Sequence, residues 1–190
     1  MMEPSKLRFE PLTPERWSDL ETLFGAKGAC GGCWCMTWRQ SASEFQANKG
    51  DKNRAMFRKI VKRGAEPGVL AYSGNEPVGW CAVAPRDQFP RLNNSRVWAP
   101  VDDQPVWAIT CLFVKKEFRN HGLSAKLVEA ATKLAKKQGA KIVEGYPQEL
   151  KAKRLPDAFV WTGLATSFTK VGFEVAVRRS EQKPVMRKKV

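Results

Sequence analysis

VWAITCLFVKKEFRNHGLSAKLVEAATKLAKKQ, residues 106–138, is the stretch of sequence that decides the fold. Its first nine residues, 106–114, form an apolar run rich in β-branched and aromatic side chains, which predicts a strand buried on both faces. A charged turn follows, and from Ala125 apolar residues recur at helical spacing until Gly139 ends the pattern. We therefore expect a strand, a short loop and a helix in direct succession.

The loop between the predicted strand and helix has the composition of an anion-binding site. The first N–H groups of a helix have no partner within the helix, and the helix dipole favours negative charge there. Gly122 and Ser124 keep side-chain bulk away from the backbone, and Arg119 adds a positive charge. The spacing differs from that of a P-loop or a dinucleotide-binding fingerprint. The sequence predicts a phosphate group bound by residues 119–124.

This loop carries a resemblance to a known family. Arg119, Gly122 and Ser124, placed after a strand that ends in Val, resemble the acetyl-CoA-binding motif of the GNAT superfamily of N-acetyltransferases. Residues 141–146 resemble that family's next strand, and residues 168–175 its last helix running into a Gly-Phe turn and a strand. The resemblance covers about residues 66–178 well and the N-terminal third in outline.

The resemblance implies both the architecture and the reaction. It implies one mixed α/β (α+β) domain over residues 1–190, with a central, largely antiparallel sheet of six or seven strands and helices on both faces. The N-terminal third would form the acceptor side, and residues 106–138 would form the acetyl-CoA-binding core. The implied reaction moves an acetyl group from acetyl-CoA to a primary amine of a small molecule or peptide.

The family also implies how the co-substrate is held. The strand backbone would hold the pantetheine arm and polarise the thioester carbonyl, while the loop N–H groups would hold the pyrophosphate. The implied cofactor-binding residues are Leu112, Phe113, Val114, Arg119, Asn120, His121, Gly122, Leu123 and Ser124. We expect the His121 side chain to face solvent or cap the loop, without a catalytic role.

One position departs from the family pattern. The family often places a tyrosine four residues before the glycine of the Gly-Phe turn, as the acid that reprotonates the thiolate, but this chain has Phe168 there. A phenyl ring cannot donate a proton, so Tyr146, Ser167 or solvent must replace it. Glu144 is the candidate base that takes the proton of the amine, directly or through water. Ordinary structural roles, as a strand carboxylate for Glu144 and a packing residue for Tyr146, remain the alternatives.

Residues 30–39, CGGCWCMTWR, are the most unusual stretch of the N-terminal third. Three cysteines within six residues suggest a metal site, but a structural zinc needs four ligands and the only histidine, His121, belongs to the predicted loop. We therefore predict no bound metal. The stretch either packs as a buried loop over the sheet or forms a wall of the acceptor pocket from Trp34, Met36 and Trp38. The corresponding region of the resembled family usually borders the acceptor.

The remaining sequence fits this reading. Further strands are predicted over 7–12, 69–72, 78–84, 173–177 and 185–190. Helices are predicted to begin at Ser41 and near Asp51, and a last helix is predicted over 159–171. Residues 85–105 are predicted to form a long loop that borders the acceptor. Ser41 and Glu44 have capping-box spacing. The helix that begins near Asp51 is expected to turn Ala55, Met56, Ile60 and Val61 inward.

Composition limits the alternatives. The net charge of +14 attracts anions, which fits the phosphates of CoA and also fits nucleic acid. The charges are spread along the chain without an aromatic and basic recognition motif, so a nucleic-acid partner is disfavoured. A CoA-binding sensor without turnover is the other rival, motivated by the missing tyrosine. The sequence leaves a homodimer open.

The expected location is the cytoplasm. No stretch approaches the roughly 20 apolar residues that span a membrane, and residues 1–6 lack the apolar core of a signal peptide. The five cysteines are then expected to be reduced, with Cys81 and Cys111 in the core.

Overall fold

Seven strands form one central sheet in the structure, a computed structural model that describes residues 7–150 and 160–190. The strands are β1 Leu7–Pro11, β2 Gly68–Ser73, β3 Glu76–Pro85, β4 Trp107–Val114, β5 Ile142–Gly145, β6 Glu174–Val177 and β7 Val185–Lys189. Their order is β1-β2-β3-β4-β5-β7-β6, and every neighbouring pair is antiparallel except β4 and β5. The predicted mixed α/β class with a largely antiparallel sheet is confirmed.

Helices cover both faces of this sheet. They are α1 Trp17–Phe24, α2 Ala42–Asn48, α3 Asp51–Lys62, α4 Pro90–Asn93, α5 Leu123–Lys137 and α6 Ala165–Thr169. The alternation of side chains along β2 shows the two layers, because Val69 and Ala71 join the core under α5, whereas Leu70 and Tyr72 join the core under α1 and α3. No helix in the described part of the chain is long and apolar enough to span a membrane.

Helix α3 buries a different stripe from the one we expected. Met56 is 37% exposed and Ala55 is also exposed, whereas Asn53, Phe57 and Val61 are buried. Asn53 can be buried because its amide accepts a hydrogen bond from Gln40 Nε2 (2.6 Å) and donates one to the Gly32 carbonyl (3.2 Å). The expectation for Ala55 and Met56 was wrong because it counted only apolar residues as inward-facing.

The region after β5 also differs from expectation. The last helix covers Ala165–Thr169, and the described residues 160–164 before it are not helical, contrary to the prediction. Residue 159, where we expected this helix to begin, lies outside the described residues together with most of the predicted connection over 147–157. Residues 161–164 are called the seam segment below. They are not helical because their backbone pairs with the residues that follow β5, where Gln148 N donates to the Gly163 carbonyl at 2.8 Å. The capping box of Ser41 and Glu44 at α2 is present as predicted.

Strands β4 and β5 separate part-way along the sheet. Their parallel pairing covers only Trp107 to Ile109 on β4, although β4 continues to Val114. Beyond Ile109 the seam segment lies against β4, and Leu112 N donates to the Trp161 carbonyl at 2.7 Å. The seam segment therefore fills the gap between the two diverging strands.

Candidate active site

The loop between β4 and α5 has the geometry of an anion site. Asn120 and Gly122 have positive φ angles of 64° and 77°, which turn the chain sharply into α5 at Leu123. Among the described residues no side chain caps this helix start, and a Cβ atom built on Gly122 would meet nothing within 4 Å. The space beside Gly122 is therefore open and the helix start has no described side-chain cap, as binding of an anion such as a diphosphate requires.

Basic side chains surround this loop. Arg119 is half-buried, and its Nε donates to the Val114 carbonyl at 2.9 Å, so the guanidinium ties the loop to the end of β4. Lys116, His121 and Lys126 are exposed. The loop thus combines oriented N–H groups with several positive charges, and a phosphate-bearing co-substrate fits it.

The strand backbone predicted to hold the pantetheine arm already has partners in the described structure. Leu112 N–H is bonded to the Trp161 carbonyl, and the Val114 carbonyl is bonded to Arg119. The side chains of Leu112 and Val114 are buried, and that of Phe113 is half-buried in the core under α1. A ligand lying along this strand would have to displace the seam segment.

A buried ion network stands beside the gap between β4 and β5. Glu144, on β5, is 1% exposed and accepts hydrogen bonds from Arg86 Nη1 (3.2 Å), Tyr146 Oη (2.6 Å) and Arg187 Nε (2.6 Å). Asp102 binds the outer side of Arg187 through two contacts of 2.5 and 3.0 Å. Two carboxylates thus neutralise two guanidinium groups, and the predicted pair Glu144 and Tyr146 lies at the centre.

This network determines the protonation state of the Tyr146 hydroxyl. Burial, and then the negative charge of Glu144, raise the pKa of Tyr146 well above its ordinary value, so the hydroxyl keeps its proton. The hydroxyl donates that proton to Glu144 and accepts from Arg86 Nη1 at 2.5 Å. Both residues are within hydrogen-bonding reach for proton transfer to each other, while their catalytic roles stay predictions.

Trp38 lies in an aromatic group next to the seam segment. Its ring contacts that of Trp98 at a centroid distance of 5.2 Å and stacks on that of Trp161 at 5.5 Å and 25°. Trp98 in turn contacts the Tyr146 ring at 5.9 Å. Trp38 is therefore connected by ring contacts to both the seam segment and the ion network.

Trp34 and Met36 have a different environment. They are 4% and 3% exposed, and Trp34 stacks on Trp17 of α1 at 6.2 Å. Their positions in the core under α1 and α3 favour the alternative of a packed loop for these two side chains. Their contribution to acceptor binding stays a prediction.

Phe168, in place of the family's tyrosine, is fully buried on α6. Its ring packs edge-on against Phe173 at 5.2 Å. A Cβ atom on Gly145 would come within 2.1 Å of this ring, so the glycine at the end of β5 is needed to accommodate it. Ser167, the neighbouring candidate acid, is half-buried.

The cysteine-rich stretch contributes packing contacts. Cys35 Sγ accepts from Trp80 Nε1 at 2.9 Å, and Cys111 on β4 shares a hydrogen bond with Cys35 that raises the pKa of the Cys111 thiol. Burial raises the pKa of Cys33 to about 11. Within residues 7–150 and 160–190, no group of three or more histidine, cysteine or acidic side chains is arranged to hold a metal ion.

Sequence reasoning missed several residues of this region. Arg86 and Trp98 both come from the long loop that was expected to border the acceptor. Because that loop shows no periodicity, its sequence did not indicate which of its side chains are buried. Buried polar atoms without a partner in the described structure are Trp38 Nε1, Trp98 Nε1, Arg86 Nε, Arg39 Nε, Arg39 Nη2 and Thr162 Oγ1. Nearly all of them are N–H donors, and no sequence pattern identifies such a set.

Comparison with known proteins defines the class. The family model described as acetyltransferase (GNAT) family matches residues 34–155, and the chain belongs to this family. Membership supports acyl transfer from acyl-CoA. No curated protein matches the sequence significantly.

Solved structures share the fold at low sequence identity. The PaiA N-acetyltransferase of Thermoplasma acidophilum in complex with coenzyme A has a TM-score of 0.53 at 16% identity, covering 97% of this chain and 99% of its own. A GNAT-family acetyltransferase of Listeria monocytogenes has a TM-score of 0.57 at 10% identity, covering 97% and 95%. The NatC complex bound to Gag peptide and CoA has a TM-score of 0.54 at 12% identity, covering 97% and 99%.

Proposed function

We propose that this protein transfers an acetyl group from acetyl-CoA to a primary amine of a small molecule or peptide. The observation that carries the proposal is the uncapped, open start of α5 directly after β4, with Arg119 beside it. Family membership supports the reaction, and coenzyme A is named in two of the similar structures, one of which also names a peptide.

The diphosphate of the co-substrate binds at residues 119–124, and its pantetheine arm runs along β4. The arm needs the Leu112 N–H group, which the Trp161 carbonyl holds at 2.7 Å. The arm and the seam segment therefore compete for one donor. In this proposal, binding of acetyl-CoA moves the seam segment away from β4.

The transfer step follows from the chemistry of a thioester. The neutral amine attacks the carbonyl carbon, the C–N bond forms, the C–S bond breaks, and CoA leaves as a thiolate that takes up a proton. Tyr146 gives that proton, and the proton lost by the amine returns to Tyr146 through Glu144. The 2.6 Å hydrogen bond between the two side chains supports this relay, and the adjacent Arg86 stabilises the transient tyrosinate.

A second candidate function has its own support. The Tyr146 proton is already engaged by Glu144, and the usual tyrosine position holds a fully buried phenylalanine. A protein without an available acid fits a sensor that binds acyl-CoA without turnover.

Release of free CoA from acetyl-CoA, measured across a panel of amines, amino acids and peptides, tests the proposal. We expect amine-dependent release with wild-type protein and, at low acetyl-CoA concentration, release about ten-fold slower with Gly122→Asp than with Gly122→Asn, because the aspartate puts negative charge where phosphate binds. Saturable acetyl-CoA binding with no release for any amine would favour the sensor. Absence of acetyl-CoA binding would rule out both functions.

A further inference from the structure

Arg39 is a half-buried cation, and no carboxylate balances its charge in the described structure. Its Nε and Nη2 atoms are buried without a hydrogen-bond partner, while Nη1 donates to Gln88 Oε1 at 3.0 Å. The guanidinium lies over the Phe89 ring, 4.5 Å from the centroid. Burial lowers the pKa of Arg39 to about 10.

Such an arrangement is unfavourable without a ligand. Charged groups that are removed from water in proteins are normally paired, because losing hydration without a counter-charge is unfavourable. The edge formed by Nε and Nη2 is one that arginine uses to bind both oxygens of a carboxylate. Arg54 of this protein uses that same edge on the surface to bind one carboxylate oxygen, Glu21 Oε1, from Nε at 2.9 Å and from Nη2 at 2.7 Å.

The surroundings of Arg39 also provide donors. Trp38, the preceding residue, and Trp98, in ring contact with it, each have a buried indole N–H group without a partner. Positive charge lies against the same rings, with Arg91 5.7 Å from the Trp38 centroid and Lys183 5.8 Å from that of Trp98. A ligand that carries hydrogen-bond acceptor oxygens and negative charge would complement these donors and positive charges.

The region is also adjacent to the reaction centre. Trp38 stacks on Trp161 of the seam segment, and Trp98 contacts Tyr146 of the proposed proton relay. Arg39 lies over Phe89, which shares a core cluster with Trp98 and Tyr146, so it borders the same aromatic group.

We propose that Arg39 binds a carboxylate of the acceptor, so that the acceptor is an amine that also bears a free carboxylate, an amino acid or a short acidic peptide. This proposal rests on the proposed acetyl transfer. Trp161 stacks on Trp38, so displacement of the seam segment by acetyl-CoA would uncover the ring next to Arg39.

Matched amines test the proposal. CoA release is measured with amino acids and short acidic peptides, each against its carboxamide and its decarboxylated amine. With wild-type protein we expect kcat/KM to be at least about ten-fold higher for the acid, mainly through KM. Arg39→Gln should lower kcat/KM for the acid to the value for its carboxamide, and kcat/KM for the carboxamide should not change. Arg39→Lys should retain part of the preference for the acid. Arg63→Gln, at an exposed arginine after α3, is the matched control.

Two results would overturn the proposal. One is an equal kcat/KM for acids and carboxamides with wild-type protein, and the other is an equal loss of kcat/KM for both in Arg39→Gln. If Arg39→Gln does not fold, the wild-type comparison and Arg39→Lys still decide. If no amine causes release of CoA, the proposed acetyl transfer is wrong. The role of Arg39 is then tested separately, by measuring how far each acid and its carboxamide raise the melting temperature of the protein in the presence of CoA. A larger shift with the acids than with the carboxamides in wild-type protein, reduced in Arg39→Lys and absent in Arg39→Gln, would support it, and equal shifts in wild-type protein would contradict it.

Discussion

The two ends of the candidate site are built in different ways. At the proposed co-substrate end, residues 119–124 follow one another in sequence, are largely exposed, and offer mainly backbone N–H groups to a ligand. At the proposed acceptor end, Arg86, Glu144 and Arg187 come from three distant parts of the chain and meet in a largely buried network. A local site can change without affecting the fold, whereas an assembled buried site is also part of the stability of the protein.

Glu144→Gln should produce the largest effect. The change leaves Arg86 and Arg187 without their buried counter-charge, and breaking a buried pair costs about 3–5 kcal/mol. We expect urea denaturation to show a loss of that size in the free energy of unfolding. Glu129→Gln, which removes an exposed pair with Lys133 on α5, should cost about 0.5 kcal/mol or less. Similar losses in both variants would mean that the network does not stabilise the fold.

The same contrast explains what the sequence could predict. The β4–loop–α5 unit follows from local periodicity and one glycine, so the strand, the helix and the turn at Gly122 were identifiable, while the anion site there stays a prediction. The network depends on which loop residues reach β5, and nothing in the local pattern around Arg86 or Asp102 encodes that. Trp34 and Trp38 illustrate the limit: four residues apart in one motif, one lies in the core under α1 and the other against the seam segment.

Tyr146→Phe separates the two roles of the network. If Tyr146 is the acid, turnover should fall by about 10²-fold or more, because general acid catalysis typically contributes that much. Acetyl-CoA affinity should stay unchanged, since the proposed diphosphate contacts come from residues 119–124 and not from the Tyr146 hydroxyl. Steady-state kinetics on the best acceptor, with Tyr72→Phe as the control, provide the measurement. Wild-type turnover in Tyr146→Phe would exclude the relay and direct attention to Ser167.

Gly122→Asp tests the co-substrate end with a matched partner. Asp and Asn both tolerate the left-handed backbone of this position, where φ is 77°, so Gly122→Asn isolates the charge. We expect calorimetry to show acetyl-CoA affinity about ten-fold weaker in Gly122→Asp than in Gly122→Asn, through repulsion of the diphosphate. Both variants should unfold at nearly the same temperature as each other. Equal affinities would move the diphosphate away from this loop.

The smallest expected effect is a gain, and it comes from the seam segment. Trp161→Ala removes a ring that stacks on Trp38, and such pairs contribute about 0.5–1.5 kcal/mol. If the segment competes with the pantetheine arm for the Leu112 N–H group, loosening it should tighten acetyl-CoA binding roughly 2- to 12-fold. Trp161→Phe keeps an aromatic ring on Trp38 and should stay close to wild type. Calorimetric titration of the two variants measures the difference. Weaker binding in Trp161→Ala would show instead that the Trp161 ring belongs to the co-substrate site, because removing a competitor cannot lower affinity.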